Sequence, residues 1–327
     1  MTYAFDPKAT CPTWLAFLGQ VFEEDQDRIA LQQEWCGYLL AHDTTQHKLM
    51  VKTGVPRAGK GTSMRVEAAL VGAENNTGYN LHSLADKFGL RQLMGKLVAF
   101  VGEVNLANSR DKYRILETLN SIVGGDPVSV EEKHNPVCQS IMLPTRFVLA
   151  CNEMPAFVDP SGALAARLLI LDFNVSFEGR EDRGLDEKLL AEISGISKWA
   201  LEGYARLKRN GRFTETARMK ALVNRFRRES SDVLGFVQDC LVVERQFNSG
   251  NLVGVEIVDK PLWIGKKDLE DAYSQWYNEN NKEGNLNWLG RNLRAIMPKL
   301  EYNRSKKLYE GIYLLDLYRM GSRPPAA

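Results

Sequence analysis

Seven residues within ten positions have the types and spacing to hold an anion: Gly54, Arg57, Gly59, Lys60, Gly61, Thr62 and Ser63. They follow the pattern Gly-x-x-x-x-Gly-Lys. In such a turn backbone N–H groups and a helix N-terminus face a phosphate, and a lysine neutralises it. Gly54 and Gly59 keep side chains out of the way, and Lys60 has the reach for β- and γ-phosphates. The position after the lysine usually carries the hydroxyl that meets Mg²⁺. Here it is Gly61, and the hydroxyls come next, on Thr62 and Ser63. The other reading is a structural strand-to-helix turn.

Three further positions could complete a phosphoryl-transfer site. Glu103 ends the apolar run Leu97 to Val101 and could bind Mg²⁺ or orient an attacking water. Asn152 ends the run Phe147 to Cys151, where an amide can sense a γ-phosphate or simply cap the next turn. Arg167 precedes the run Leu168 to Phe173. It could stabilise transition-state charge on a neighbouring subunit's nucleotide, or form a surface ion pair.

The elements that must position these groups read clearly. Leu49 to Val51 is a buried strand, and Thr62 to Val71 continues as a helix. Apolar spacing from Thr13 to Ala41 predicts two helices broken at Glu23-Glu24-Asp25, with Trp14 and Trp35 as core anchors. Leu81 to Leu93 and Asp111 to Ile122 also read as helices. Alternation through Val128 and Val130 toward a Pro-ended polar tip predicts a β-hairpin with Lys133 and His134 at its end. That tip could grip a phosphate backbone or be a solvated turn.

Composition sets limits. The 327 residues, 44% hydrophobic, allow one large or two ordinary domains, and the net charge of +1 favours no partner class. Five scattered cysteines show no zinc spacing and read as reduced thiols. No apolar stretch approaches a membrane span and the N-terminus lacks signal-peptide character, so the expected location is the cytoplasm, with no membrane partner.

Taken together, "GVPRAGKGT", "KLVAFVGEV", "IVGGDPVSVEEKHNP", "RFVLACNEMPAFVDPSGALAARLLILDF" and "LDEKLLAEISGISKWALEGYARL" stand in an order that resembles the superfamily 3 helicases. The match is to the C-terminal helicase module of the phage, plasmid and poxvirus primase-helicases, over about residues 13 to 320. The resemblance implies an α/β fold: a modified AAA-type P-loop ATPase core with a central parallel sheet. It implies a ring, usually a hexamer, around single-stranded DNA gripped by Lys133 and His134. ATP and Mg²⁺ would lie between subunits, with Lys60, Thr62 and Glu103 from one, Arg167 from the next, and Asn152 as sensor. A primase domain often precedes such modules, and none does in this sequence. Priming is therefore not expected, and a separate primase or replication initiator is a candidate partner.

The expected domains are a helical segment over 1–45, the ATPase core over 46–229, a winged-helix-like domain over 230–320 and a tail over 321–327. Nine Lys or Arg against the single acid Glu215 between Arg206 and Arg228 suggest DNA contact. Beyond Ser230-Ser231, helices are expected over Val233 to Val243, Lys267 to Asn278 and Leu286 to Met297, then a two-stranded wing over Tyr302 to Leu315. The resemblance places replication-fork or origin DNA against this domain, with Arg291 and Arg294 in a groove and Lys306 and Lys307 on phosphates. A small capping domain is the alternative. The expectation is thus an ATP-driven helicase or translocase of a mobile element. Its rivals are a nucleoside-monophosphate kinase, which would ignore DNA, and a DNA-binding protein that nucleotide merely switches.

Overall fold

The computed structural model describes residues 3–102, 104, 111–132, 135–155, 157–159, 161–248, 252, 254–280 and 286–316. The chain forms two compact units, Met1–Phe157 with Ala166–Val223, and Val158–Ala165 with Asn224–Ala327.

The first unit opens with α1 (Pro12–Phe22) and α2 (Gln26–Leu40). Pro12 presets the first turn of α1. The Asp25 carboxylate accepts from the Asp27 and Arg28 amides and so restarts the helix, which is why the acidic break falls where it does. Trp14 and Trp35 are fully buried. Next come β1 (Leu49–Gly54), α3 (Lys60–Val71), β2 (Asn76–Gly78) and β3 (Val98–Val101). They are followed by α4 (Lys112–Gly124), β4 (Val128–Glu132), β5 (Asn135–Ile141), β6 (Arg146–Cys151) and β7 (Leu168–Phe173). The helices α5 (Leu185–Ala191), α6 (Ile193–Asn210) and α7 (Ala217–Ser230) follow, the last continuing into the second unit.

Five strands form one parallel sheet in the order β2-β3-β6-β1-β7. Met50 pairs with Val148 on one side and Leu169 on the other, so β1 is an interior strand. Its near-continuous apolar run suits burial on both faces. On the helical side α2 and α6 cross closely. A Cβ on Gly37 would come 2.2 Å from the Ala200 carbonyl oxygen, and one on Gly203 would come 2.5 Å from that of Gln33. Only glycine fits either position. The strands β4 and β5 pair apart from this sheet as an antiparallel hairpin.

Leu81 to Leu93 departs from the helix its spacing predicts. It forms two short 3₁₀ turns, Leu81–Ala85 and Gly89–Leu93. The Asn80 side chain caps the first, and the chain doubles back so tightly that a Cβ on Gly89 would meet the Ser83 carbonyl oxygen at 1.7 Å.

The second unit contains α8 (Asp232–Cys240), β8 (Leu241–Glu244), β9 (Glu256–Val258), β10 (Trp263–Gly265), α9 (Lys266–Glu279), α10 (Leu286–Ile296), β11 (Glu301–Asn303), β12 (Leu308–Glu310) and β13 (Ile312–Leu314). Here the helix expected through Val243 stops at Cys240. Val242 and Val243 pair with β9 and β13 instead, because β-branched residues suit a strand once partners arrive. The three strands β10-β12-β11 make a second small sheet, in which β11 and β12 form a hairpin. The core of this unit is mainly Leu, Val and Ile, with an aromatic cluster among them: the Phe236 ring lies 5.2 Å from Tyr273 and 6.0 Å from Trp276. The Trp276 indole donates to Asp239 at 3.1 Å.

Candidate functional site

The loop from β1 to α3 owes its course to two contacts with β7. The Val55 amide donates to the Phe173 carbonyl at 3.0 Å. Gly54 has φ of +135°, and a Cβ there would lie 2.0 Å from that same oxygen. The chain then enters α3 through Gly59, whose φ is +91°. No side chain caps α3. Its first-turn amides and the positive end of its dipole are therefore available to an anion.

Lys60 lies over this turn. Its ammonium donates to the carbonyls of Gly54 (2.5 Å) and Val55 (2.8 Å) and to Asn152 Oδ1 (3.0 Å). Partial burial pushes the Lys60 pKa below the ordinary lysine value. Asn152 follows β6, the strand between β1 and β3, and its carbonyl faces the Thr53 hydroxyl at 3.4 Å. The fold thus brings Gly54, Arg57, Gly59, Lys60, Gly61, Thr62 and Asn152 to one end of the sheet.

Ser63 goes elsewhere. It is fully buried, and its hydroxyl accepts from the Lys52 ammonium at 2.7 Å. Lys52, buried in mid-strand, also meets Glu67 Oε1 at 2.6 Å, and Gln32 donates to that oxygen at 2.8 Å. This network pins α3 to β1 and α2, so the Ser63 side chain serves the core under the loop rather than its open face. Thr62 keeps the only hydroxyl of the pair toward solvent, where it accepts from Arg65 at 3.1 Å.

Beside the loop lies a cleft of about 840 Å³, with Phe17 and Gln20 of α1 on one wall and Phe177 and Arg180 on the other. Residues 176–186 are tied across it. The Phe177 amide donates to the Arg57 carbonyl at 3.0 Å, Arg57 pairs with Glu181 at 2.9 Å, and Arg65 pairs with Asp186 at 2.8 Å. Sequence patterns did not single out this wall or the Lys52–Glu67 pair. A lysine inside the apolar run of β1 was the one available sign of the latter.

Arg167 sits in the same unit, partly buried, with its guanidinium against Gly124 at the end of α4. Glu103 lies outside the described residues, two positions past the end of β3. Lys133 and His134, between β4 and β5 in sequence, also lie outside them. Among the described residues no three His, Cys, Asp or Glu side chains cluster as a metal site, and no helix is long and apolar enough to cross a membrane.

The basic stretch is less free than its composition implies. Arg206, Lys208, Arg218, Lys220, Arg225 and Arg228 each pair with a carboxylate. Arg206 pairs with fully buried Glu34 and helps lock α6 to α2. In the second unit Arg291 and Arg294 are exposed on α10, and Lys306 and Lys307 are exposed in the β11–β12 turn.

A family model described as a family of unknown function, DUF5906, matches residues 53–167, which span the loop, the hairpin, Asn152 and Arg167. No curated protein matches the chain. Among solved structures, the A form apo structure of the NrS-1 C-terminal region has a TM-score of 0.52 at 13% identity, covering 94% of this chain and 79% of that one. A second apo structure of the NrS-1 C-terminal region gives 0.52 at 14% identity, covering 95% and 79%. At such identities the likeness is one of fold.

Proposed function

We propose that the chain is an ATP-driven motor on single-stranded DNA, a ring-forming helicase or translocase of the superfamily 3 type serving replication of a phage, plasmid or other mobile element. The observation that carries this reading is the Lys60 ammonium, held between the Gly54 and Val55 carbonyls and Asn152 at an uncapped helix N-terminus. A cation clamped by neutral acceptors beside free amides is poised for phosphate, which is a stronger acceptor than any of them. The strand order supports a P-loop ATPase core, because it sets Asn152 between the loop and the strand leading to Glu103.

In this mechanism α3 and Lys60 take the β- and γ-phosphates of ATP, and the cleft lined by Phe17 and Phe177 takes base and sugar. Lys60 exchanges Asn152 for a γ-phosphate oxygen, and the freed amide donates to the same group. Arg167 from a neighbouring subunit stabilises charge as the γ-phosphoryl leaves. Thr62 would be the hydroxyl that meets Mg²⁺, with Glu103 as its partner or as the group orienting water, and the bound ion would supply charge neutralisation to the phosphates. Lys133 and His134 carry the DNA as the hairpin moves. The second unit binds fork or origin DNA as a winged helix through Arg291, Arg294, Lys306 and Lys307. The ring is hexameric, works in the host cytoplasm, and joins a separate primase or initiator.

ATP hydrolysis by the purified chain, with and without single-stranded DNA, tests this reading. Stimulation by DNA that Lys133→Ala removes is the expected result. Hydrolysis indifferent to DNA, or none, overturns it in favour of a kinase or a nucleotide-switched binder.

A further inference from the structure

Lys52 stands where the apolar run of β1 leads one to expect another apolar residue. It pairs in register with Ala150 of β6 and Leu171 of β7, and it is fully buried. Apolar side chains of similar volume often stabilise a core as well as a buried ion pair or better, because both ions give up their hydration. The network around Lys52 carries a further cost. Among the described residues, the buried atoms Glu67 Oε2 and Gln32 Oε1 have no hydrogen-bond partner. Stability alone does not account for a lysine here.

Its contacts do. The ammonium donates to Ser63 Oγ at 2.7 Å and to Glu67 Oε1 at 2.6 Å. Ser63 is the fourth residue of α3, and Glu67 lies one helical turn further along the same face. One cation, rooted in an interior strand, thus grips the first two turns of α3 at two points. The Ser63 amide donates to the Gly59 carbonyl at 3.0 Å. The amides just ahead of it belong to Lys60, Gly61 and Thr62, and these are the ones left over at the helix N-terminus for an anion. Both the side chain and the main chain of Ser63 are tied down, so the edge of that cradle is fixed from below.

We propose that Lys52 is a positioning residue: acting through Ser63, it holds the first-turn amides of α3 at the spacing a polyphosphate needs. The inference rests on the nucleotide reading for its ligand, but not on the ring, the motor or DNA. A cradle already set before the ligand arrives loses less freedom on binding, which is how a group that never touches phosphate raises affinity for it.

The test compares the full-length wild type with Ser63→Ala and with the double variant Lys52→Met, Glu67→Leu. Ser63→Ala removes the gripped hydroxyl and little volume. The double variant removes the grip and leaves an uncharged core, so its Tm should stay close to that of the wild type. Titration calorimetry is run with ATP and with inorganic tripolyphosphate. Both variants should bind both ligands about tenfold more weakly, the scale of one hydrogen bond to a charged group. Hydrolysis should show the loss in KM, with kcat at saturating ATP little changed. Wild-type affinity for tripolyphosphate in both variants overturns the proposal, since Lys52 then serves the core alone. Weakened ATP binding with unchanged tripolyphosphate binding overturns it too, because the defect then lies at the base and sugar. A wild type that binds neither ligand defeats the nucleotide reading instead. Hydrogen exchange at the Ser63 amide of ligand-free protein then decides: a rise of about tenfold in the double variant supports the positioning role, and an unchanged rate overturns it.

Discussion

Lys60 and Asn152, 92 residues apart in the chain, meet across the phosphate loop with Nζ 3.0 Å from Oδ1. The pair exists because β6 adds beside β1, which sets the two strand ends next to one another. Lys60→Ala should abolish ATP binding. Asn152→Ala should bind ATP normally and hydrolyse it about 100-fold more slowly, the loss typical for one transition-state donor. Equilibrium binding of a fluorescent ATP analogue, with single-turnover hydrolysis, separates the two effects.

Gly54 should tolerate no side chain. Its φ of +135° and the 2.0 Å approach of a Cβ to the Phe173 oxygen force the loop away from β7. Gly54→Ala should cost about 1–3 kcal/mol or more from backbone strain alone, and it should also lose ATP binding. Urea unfolding alongside nucleotide binding reads both.

The buried Lys52–Glu67 pair should behave as a unit. Lys52→Met leaves the Glu67 charge without its cation in the core and should destabilise by about 3–5 kcal/mol. The double variant Lys52→Met with Glu67→Leu should recover most of that loss, since apolar replacements remove both desolvation costs. A double-mutant cycle by chemical denaturation gives the coupling directly.

Acid should weaken the joint between α2, β6 and α6 through Asp43. Burial pushes its carboxyl upward. Hydrogen bonds from Thr45, Tyr204 and Lys208 more than offset this and hold it well below the usual carboxylate range. Burial and then Asp43 itself push the Tyr204 phenol up to about 12. A carboxyl depressed on folding adds stability that is complete above its unfolded pKa of about 4 and is lost as pH falls through the folded value. Asp43→Asn should therefore lower Tm at pH 7 and flatten its fall between about pH 4 and pH 2, as calorimetry would show.

Exposed cations of the second unit should set the salt dependence of duplex binding. Each alanine replacement at Arg291, Arg294, Lys306 or Lys307 that removes a phosphate contact should lower the slope of log K against log salt by about 1. Fluorescence anisotropy at several salt concentrations measures it. Arg206→Ala should instead leave the slope unchanged and lower stability, because its charge is spent on Glu34.

Local features were legible in the linear order of residues. The spacing of Gly54, Gly59 and Lys60 dictates a turn, the apolar runs of β1, β3, β6 and β7 dictate buried strands, and Asp25 dictates a helix start. Each depends on backbone torsions and burial within a few residues, which a linear pattern records. The remaining features arise from contacts between distant parts of the chain. Asn152 reaches Lys60 only through a strand order that skips sequence order. Ser63 was placed in the core because Lys52 and Glu67 needed an interior partner. Six of the nine cations between Arg206 and Arg228 pair with carboxylates, which include the distant Glu34, Asp43 and Asp172. Val242 and Val243 left their helix when β9 and β13 supplied hydrogen bonds. Pairings of this kind depend on which distant groups share a dry interior, and no local period encodes that.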